Sequence, residues 1–188
     1  MLAHFYITEL SINEIALSRA PVISNNPDFH RFEYFYGCLN SIKSWFDVLF
    51  KIPPADYIGF PFPIFSQIAQ CLITLFKLSM LDDPGWDRKM VQNTANVLLI
   101  LDQLSHSLLQ VPSCAGLESD PIEGDVFTRT AKVSESIRQV WEAKLAVEPV
   151  GHDIAISQNV LEAVPDVAPT MNFSDDTWMS DILVSLNW

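Results

Sequence analysis

The chain has 188 residues, of which 49% are hydrophobic and 18% charged, and its formal net charge is −12. This length suits one domain with a tail, and it is enough to bury a core without disulfide bonds. The acidic excess argues against nucleic-acid binding, because phosphate contacts require clustered Lys and Arg side chains.

Cysteine is sparse, and Cys38, Cys71 and Cys114 lie in different segments of the chain. An odd number at these spacings gives neither a disulfide framework nor a zinc-binding pattern. Cys38 and Cys71 fall within apolar helical patterns, which predicts buried free thiols in a reducing compartment.

Residues 1–20 have the pattern of a helix, and residues 21–27 form a linker. The spacing predicts a core-facing stripe that comprises Leu2, Phe5, Tyr6, Ile12, Ile15 and Ala16. The segment starts abruptly and without a cap, so we expect the natural domain to begin upstream of Met1.

The stretch from Phe29 to Pro84 holds most of the aromatic residues and little charge, and it predicts two apolar helices joined by a proline-rich elbow. Residues 26–28, Asn-Pro-Asp, suit the cap and first turn of the first helix. Pro53 and Pro54 end that helix, because proline cannot donate the backbone hydrogen bond. Its apolar face is formed by Phe32, Phe35, Leu39, Ile42, Phe46 and Leu49.

The second central helix, from Pro63 to about Asp82, is apolar on nearly every side. Its narrow polar strip consists of Gln67, Gln70, Thr74 and Lys77. Such a helix is either the centre of a bundle or a membrane span. The two glutamines, the lysine and the lack of basic flanks favour a buried core helix and no membrane contact.

The apolar pattern continues from Asp87 to Val111 and predicts one long amphipathic helix. Its stripe comprises Met90, Thr94, Val97, Leu101, Leu104, Leu108 and Val111. Residues 112–124 predict a polar connector. Asp125 is the expected cap of a last helix, which reaches Lys144 and directs Val126, Val133, Ile137, Val140 and Trp141 inward.

No strand pattern competes with these helices, so the predicted fold class is all-α: an irregular bundle of about five helices with a largely disordered acidic C-terminal tail. The helical domain spans residues 1–146. Residues 147–171 carry prolines and acidic residues without a period, which predicts a disordered linker. The last segment, 172–188, is acidic and hydrophobic.

The last segment interleaves aspartates with bulky apolar residues, a composition typical of an activation segment. The carboxylates keep the apolar side chains solvated, and the segment can then fold as a short helix in the groove of a basic coactivator. The expected coactivator-binding residues are Phe173, Trp178, Met179, Ile182, Leu183, Leu186 and Trp188. The alternative is a terminal helix that docks on its own bundle.

The sequence contains no HExxH motif, no phosphate-binding glycine loop and no GxSxG motif. The pair Asp82-Asp83 superficially resembles an aspartate-rich metal motif, but a turn at a helix end explains it better. We therefore predict no catalytic residues, no metal ligands and no enzyme activity. A small helical enzyme is the least favoured alternative, and it would require two facing clusters of titratable groups in a cavity.

Aromatic residues of the elbow offer a second kind of site. Tyr57, Phe60 and Phe62 are candidates for the border of a small-molecule pocket. The bundle would then be a ligand-binding or protein-interaction module without activation activity.

A family resemblance is carried by the run YGCLNSIKSWFDVLFKIPPADYIGFPFPIFSQIAQCLITLFKLSMLDDPGWD and the following NTANVLLILDQL. They resemble the regulatory region of fungal zinc binuclear cluster transcription factors, and the opening ITELSINEIAL looks like a helix of that region. The end, FSDDTWMSDILVSLNW, is similar to the C-terminal activation tail of those proteins. The resemblance covers most of the chain, with diffuse motifs.

The resemblance implies a nuclear activator of RNA polymerase II transcription, often of metabolic genes, including those of secondary metabolism. Its implied partner is a transcriptional coactivator or a mediator-type protein. In that family an N-terminal module of six cysteines holds two zinc ions and binds DNA. This chain has three cysteines and no CxxC spacing, so we expect no cofactor, no zinc and no direct DNA binding here. It is either the C-terminal part of a longer factor or a product shortened at its start.

Overall fold

A computed structural model of the chain describes residues 2–19, 29–83, 85–117 and 125–146. Within these ranges the chain forms six α-helices and one 3-10 helix and contains no strand. The all-α prediction is therefore confirmed. The predicted cap at residues 26–28, the linker at 147–171 and the acidic tail at 172–188 lie outside the described residues.

The helices follow one another as α1 (Leu2–Arg19), α2 (Phe29–Leu49), the 3-10 elbow (Pro54–Gly59), α3 (Phe62–Met80), α4 (Arg88–Thr94), α5 (Val97–Ala115) and α6 (Val126–Ala146). α1 packs along α2, and α6 packs along α5. The 3-10 elbow lies against α5, while α3 contacts α2, α4, α5 and α6. α3 is thus the central helix of the bundle.

The predicted apolar face of α2 forms one side of the core. Its buried residues include Phe35, Leu39, Ile42, Phe46 and Leu49, and Phe32 is partly buried against them. Burial of each such side chain contributes about 1.5–3 kcal/mol before the entropy of ordering is counted. The exposed residues on the opposite side of α2 include Asn40, Lys43 and Asp47, together with Tyr36, which is 40% exposed.

The central position of α3 in the bundle explains why this helix is apolar on nearly every side. It has the length and hydropathy that a membrane span requires, and it is the one such helix among the described residues. Its buried residues are Ile68, Cys71, Leu72, Thr74, Leu75, Phe76, Leu78 and Ser79. These residues form the middle of the core, as expected for the central helix of a bundle.

The prediction of one long helix from Asp87 to Val111 is wrong, because this part of the chain forms two helices, α4 and α5. Ala95 is extended, and Asn96 caps the new helix. The Asn96 side-chain oxygen accepts hydrogen bonds from the backbone N–H groups of Leu98 and Leu99, at 3.0 and 3.3 Å. Asparagine is among the preferred residues at the cap of a helix, because its side chain can bond to the backbone N–H groups that begin the helix. The apolar stripe therefore runs across two helices instead of one.

The predicted connector at residues 112–124 begins too early, because α5 continues to Ala115 with Pro112 inside it. Pro112 lacks an N–H group and leaves the Leu108 carbonyl without its helical partner, a loss that is tolerated near a helix end. Gly116 then adopts a left-handed φ of 68° and donates to the Pro112 carbonyl. This glycine ends the helix by a conformation that other residues rarely adopt.

The predicted inward stripe of α1 is mostly wrong. Leu2, Phe5, Ile12 and Ile15 are all more than half exposed, and only Tyr6 of that set packs against the core among the side chains described. The buried residue is Leu10, supported by Ala3 and Ile7. The actual contact face of α1 also includes polar side chains that bond to neighbouring helices, which an apolar pattern cannot identify.

The predicted inward stripe of α6 is only partly correct. Trp141 is buried and Ile137 partly so, but Val126 and Val140 are 57% and 38% exposed. The other buried positions are Phe127, Ala131 and Ser134. The Ser134 hydroxyl donates to the Thr130 carbonyl at 3.0 Å, so its burial leaves no unpaired donor.

Candidate functional site

The aromatic residues at 57, 60 and 62, in the 3-10 elbow and the start of α3, differ in burial. Tyr57 is buried, donates to the Leu49 carbonyl at 3.4 Å, and stacks on Phe60 with ring centroids 4.6 Å apart. Burial raises the pKa of the Tyr57 phenol, and a hydrogen bond with the Ser107 hydroxyl of α5 partly opposes this shift. Phe62 is 80% exposed. The structure thus brings Tyr57 and Phe60 together and leaves Phe62 on the surface.

A small cavity lies beside Phe60 between the elbow, α1, α2 and α3. Its volume is about 40 Å³, and its lining residues are Ala3, Trp45, Val48, Leu49, Ile52, Phe60 and Ile64. Pockets for small organic ligands usually have volumes of about 300–1,000 Å³. The cavity is therefore too small for a metabolite in this conformation, and the predicted ligand pocket remains a prediction.

A polar cluster joins α1 to α3 inside the bundle. The Gln70 amide donates to a Glu14 carboxylate oxygen at 2.6 Å, and the Thr74 hydroxyl donates to the other oxygen. A second carboxylate of α1, Glu9, accepts from the Ser41 hydroxyl of α2 at 2.9 Å. Two charged side chains of α1 are thus held by neutral donors of the central helices.

The polar strip predicted on α3 is the sequence signal that belongs to this cluster. Its members Gln70 and Thr74 bind Glu14, and Gln67 accepts a 3.3 Å hydrogen bond from the Trp45 indole N–H. The spacing identifies the strip but not its partners, because Glu14 lies 56 and 60 positions away. We therefore assign the cluster a structural role that fixes α1 on the bundle.

The two buried cysteines lie close enough to Glu14 to respond to its charge. Burial raises the pKa of the Cys38 and Cys71 thiols far above the ordinary value, and the negative charge of Glu14 adds to this effect. Both residues therefore remain protonated thiols and are poor nucleophiles. Their burial confirms the prediction of free core cysteines.

The acidic pair at the end of α3 is held by arginines. Asp82 lies 3.1 Å from the Arg88 guanidinium, and Asp83 lies 3.8 Å from that of Arg31. Asp83 also accepts from the Gly85 backbone N–H at 3.0 Å. Across the described ranges, no group of three His, Cys, Asp or Glu side chains is arranged to hold a metal ion. The interpretation of this pair as a turn fits these contacts.

The predicted coactivator-binding residues, from Phe173 to Trp188, lie outside the described residues. The structure therefore places none of them, and their role stays a prediction.

The described helices define a class of protein, an all-α bundle around one central apolar helix. A family model described as a C-terminal domain, ATEG07667_C, matches residues 54–188. The match covers the elbow, α3 to α6 and the acidic end. The chain therefore belongs to this family.

Two curated proteins are similar to the chain. It is 33% identical over 187 residues to a protein of Penicillium oxalicum named transcription factor opdL, which covers 96% of the chain and 32% of that protein. It is 31% identical over 116 residues to a protein of Aspergillus terreus named transcription factor, with 56% of the chain and 20% of that protein covered. The chain thus spans a third or less of the length of these relatives. No solved structure matches it.

Proposed function

We propose that this chain is the C-terminal regulatory part of a fungal transcription regulator that acts on RNA polymerase II in the nucleus. The main support is its similarity to two proteins named transcription factors, one of them over nearly the whole chain. In this proposal the bundle of residues 1–146 is the regulatory domain. Residues 172–188 recruit a transcriptional coactivator or a mediator-type protein.

The composition of the tail supports the recruiting role. Residues 147–188 contain seven Asp and Glu residues and no Lys or Arg. The long-range attraction of this charge speeds the encounter with a basic coactivator, and Trp178, Ile182, Leu183 and Trp188 supply the apolar contact. Those four side chains are the strongest candidates because large apolar anchors dominate the free energy of binding.

Specific DNA binding belongs to a separate module in this proposal. The chain has a net charge of −12 and three cysteines without CxxC spacing. A zinc cluster of six cysteines would therefore have to be supplied by an N-terminal part of the protein, and zinc would have no role in the bundle itself.

A reporter assay tests the proposal. Residues 147–188 are fused to an unrelated DNA-binding domain, and transcription from a promoter with its binding sites is measured. We expect strong activation by this segment. A well-expressed fusion protein that leaves the reporter at its basal level would contradict the proposed recruiting role.

A second candidate function is a module that responds to a very small apolar ligand bound in the cavity beside Phe60. Binding to the native state stabilises it by RT ln(1 + [L]/Kd), so the unfolding midpoint rises as the ligand concentration exceeds Kd. The cavity of about 40 Å³ predicts that only very small apolar molecules raise the midpoint without rearrangement of the elbow. A thermal-shift screen that includes such molecules and a broad metabolite panel tests this function, and no shift across the panel would count against it.

A further inference from the structure

α6 has an outer face that no core contact uses. We define it by Val126, Arg129, Val133, Val140 and Lys144, which recur at intervals of three, four and seven along the helix and share one side of it. Val126 and Val140 are 57% and 38% exposed, and Val133 is partly exposed. The outer face is therefore an apolar stripe on the surface.

The opposite side of α6 fixes this orientation. The Ala131 carbonyl accepts from the Ser105 hydroxyl of α5 at 3.2 Å, and the Arg138 guanidinium pairs with Asp102 of α5. Trp141 stacks on Phe76 of α3 with ring centroids 4.3 Å apart. These contacts hold α6 by one side and leave the outer face toward solvent.

The charge of α6 differs in sign from that of the chain. It holds four of the 11 Lys and Arg residues and only two acidic residues, in a protein of net charge −12. Arg129 and Lys144 lie on the outer face, Lys132 lies beside it, and all three side chains are exposed. An apolar stripe with basic neighbours is complementary to a segment that is apolar and acidic.

Such a segment lies 25 residues beyond the end of α6. We propose that residues 172–188 dock on the outer face of α6 in the same molecule. Bulky residues such as Trp178 and Ile182 cover the valines of the stripe, and Asp175, Asp176 and Asp181 lie near the basic side chains. The charge of the tail is opposite to that of α6, which carries four basic and two acidic side chains.

The connecting chain is long enough for this contact. α6 has 21 residues, so its axis is about 31 Å long. The 25 residues from 147 to 171 would span roughly 25–30 Å even as a random coil. A tether of this kind gives an effective concentration in the millimolar range, so a weak contact is enough for docking.

The consequence for transcription rests on the proposed function, whereas the docking itself does not. A tail on α6 has its apolar residues covered and is unable to bind a coactivator. Docking would then restrain activation, and a coactivator would compete with α6 for the same side chains.

Photo-crosslinking in the full chain tests the docking. A photoreactive amino acid replaces Ser185, which is next to the apolar residues of the tail in sequence, and crosslinks within the monomer are mapped by mass spectrometry. We expect them to concentrate between residues 126 and 144. In the variant Arg129→Glu/Lys132→Glu their yield should fall about fivefold or more, because attraction is replaced by repulsion.

The control variant is Lys51→Glu/Lys89→Glu, which changes the net charge equally at exposed positions on other parts of the bundle. Its crosslink yield should equal that of the unchanged chain, and circular dichroism verifies that both variants remain helical. Three results would overturn the proposal: crosslinks spread over the bundle, crosslinks only between two molecules, or equal losses in both variants. Reporter activity separates the two proposals. A segment 147–188 that activates as an isolated fusion but does not crosslink to α6 in the full chain refutes docking alone. A tail that crosslinks to α6 in the full chain but does not activate as that isolated fusion refutes the recruiting role alone.

Discussion

The Gln70 amide of α3 donates a 2.6 Å hydrogen bond to the Glu14 carboxylate of α1, a residue 56 positions earlier in the chain. The Thr74 hydroxyl, one turn later on α3, donates to the other oxygen of the same carboxylate. This contact ties the first helix to the central helix through polar groups. It shows why the contact face of α1 differs from its most apolar face.

Replacement of Glu14 tests the contribution of this contact. Glu14→Leu removes the acceptor of the Thr74 hydroxyl and the shorter of the two hydrogen bonds of the Gln70 amide, which keeps its 3.3 Å bond to the Ser11 hydroxyl. This loss should lower the free energy of unfolding by about 1–3 kcal/mol. Glu14→Gln keeps one acceptor oxygen and should lower it less. Chemical denaturation of the full chain measures both. Equal stability of Glu14→Leu and the unchanged protein would show that the hydrogen bonds contribute nothing net.

Replacement by alanine should affect stability differently at two glycines, Gly85 and Gly59. A Cβ atom at Gly85 would lie 2.5 Å from the ring of Phe32, which is stacked on Trp86. A Cβ atom at Gly59 would have no neighbour within 4 Å. Gly85→Ala should lower the free energy of unfolding by about 1–3 kcal/mol, because the aromatic cluster must shift. Gly59→Ala is the matched control.

We expect the Gly59→Ala midpoint in urea to stay near that of the unchanged protein or to rise slightly, since the loss of a glycine reduces the entropy of the unfolded chain. A Gly85→Ala protein as stable as the Gly59→Ala protein would contradict the close approach of Gly85 to Phe32.

Asp125 makes stability depend on pH at the start of α6. Desolvation raises its pKa, but hydrogen bonds from the Thr128 hydroxyl and from the backbone N–H groups of Thr128 and Phe127 outweigh this effect, so the pKa is lowered. A carboxyl group with a lowered folded pKa stabilises the protein above its unfolded pKa, near 3.9, and loses this effect as pH falls through the folded value.

The substitution Asp125→Asn keeps a side-chain oxygen that can cap α6 and removes the carboxyl group that titrates. We therefore expect the variant to lose less stability than the unchanged protein when pH falls from 6 to below about 3.9. Denaturation at several pH values measures the difference. Parallel pH profiles of the two proteins would show that the capping carboxylate does not contribute to acid unfolding.

Local patterns were sufficient to predict most helices and the face of α2. Each predicted helix depends on apolar residues three and four positions apart, and Phe35, Leu39 and Ile42 are buried accordingly. The fold class follows from the same periodicity along the whole chain.

Other features of the fold depend on which of several side chains occupies a cap or a core position, and the spacing of apolar residues carries no information on this choice. Asn96 interrupts an unbroken apolar stripe because its side chain caps a new helix. In α1 and α6 there are more apolar residues than buried positions, so Phe5 and Val126 lie at the surface while Leu10 and Phe127 enter the core. The partners of Glu14 are distant in sequence, and only the fold brings them together.

The most direct test of the central proposal concerns the apolar residues of the tail. Residues 147–188, without the bundle, are fused to an unrelated DNA-binding domain and compared with the variant in which Trp178, Ile182, Leu183 and Trp188 are replaced by alanine. We predict that reporter transcription falls about tenfold or more in the variant at equal protein level, since large apolar anchors supply most of the contact energy. Equal transcription by the two fusion proteins would contradict the assignment of coactivator recruitment to this segment.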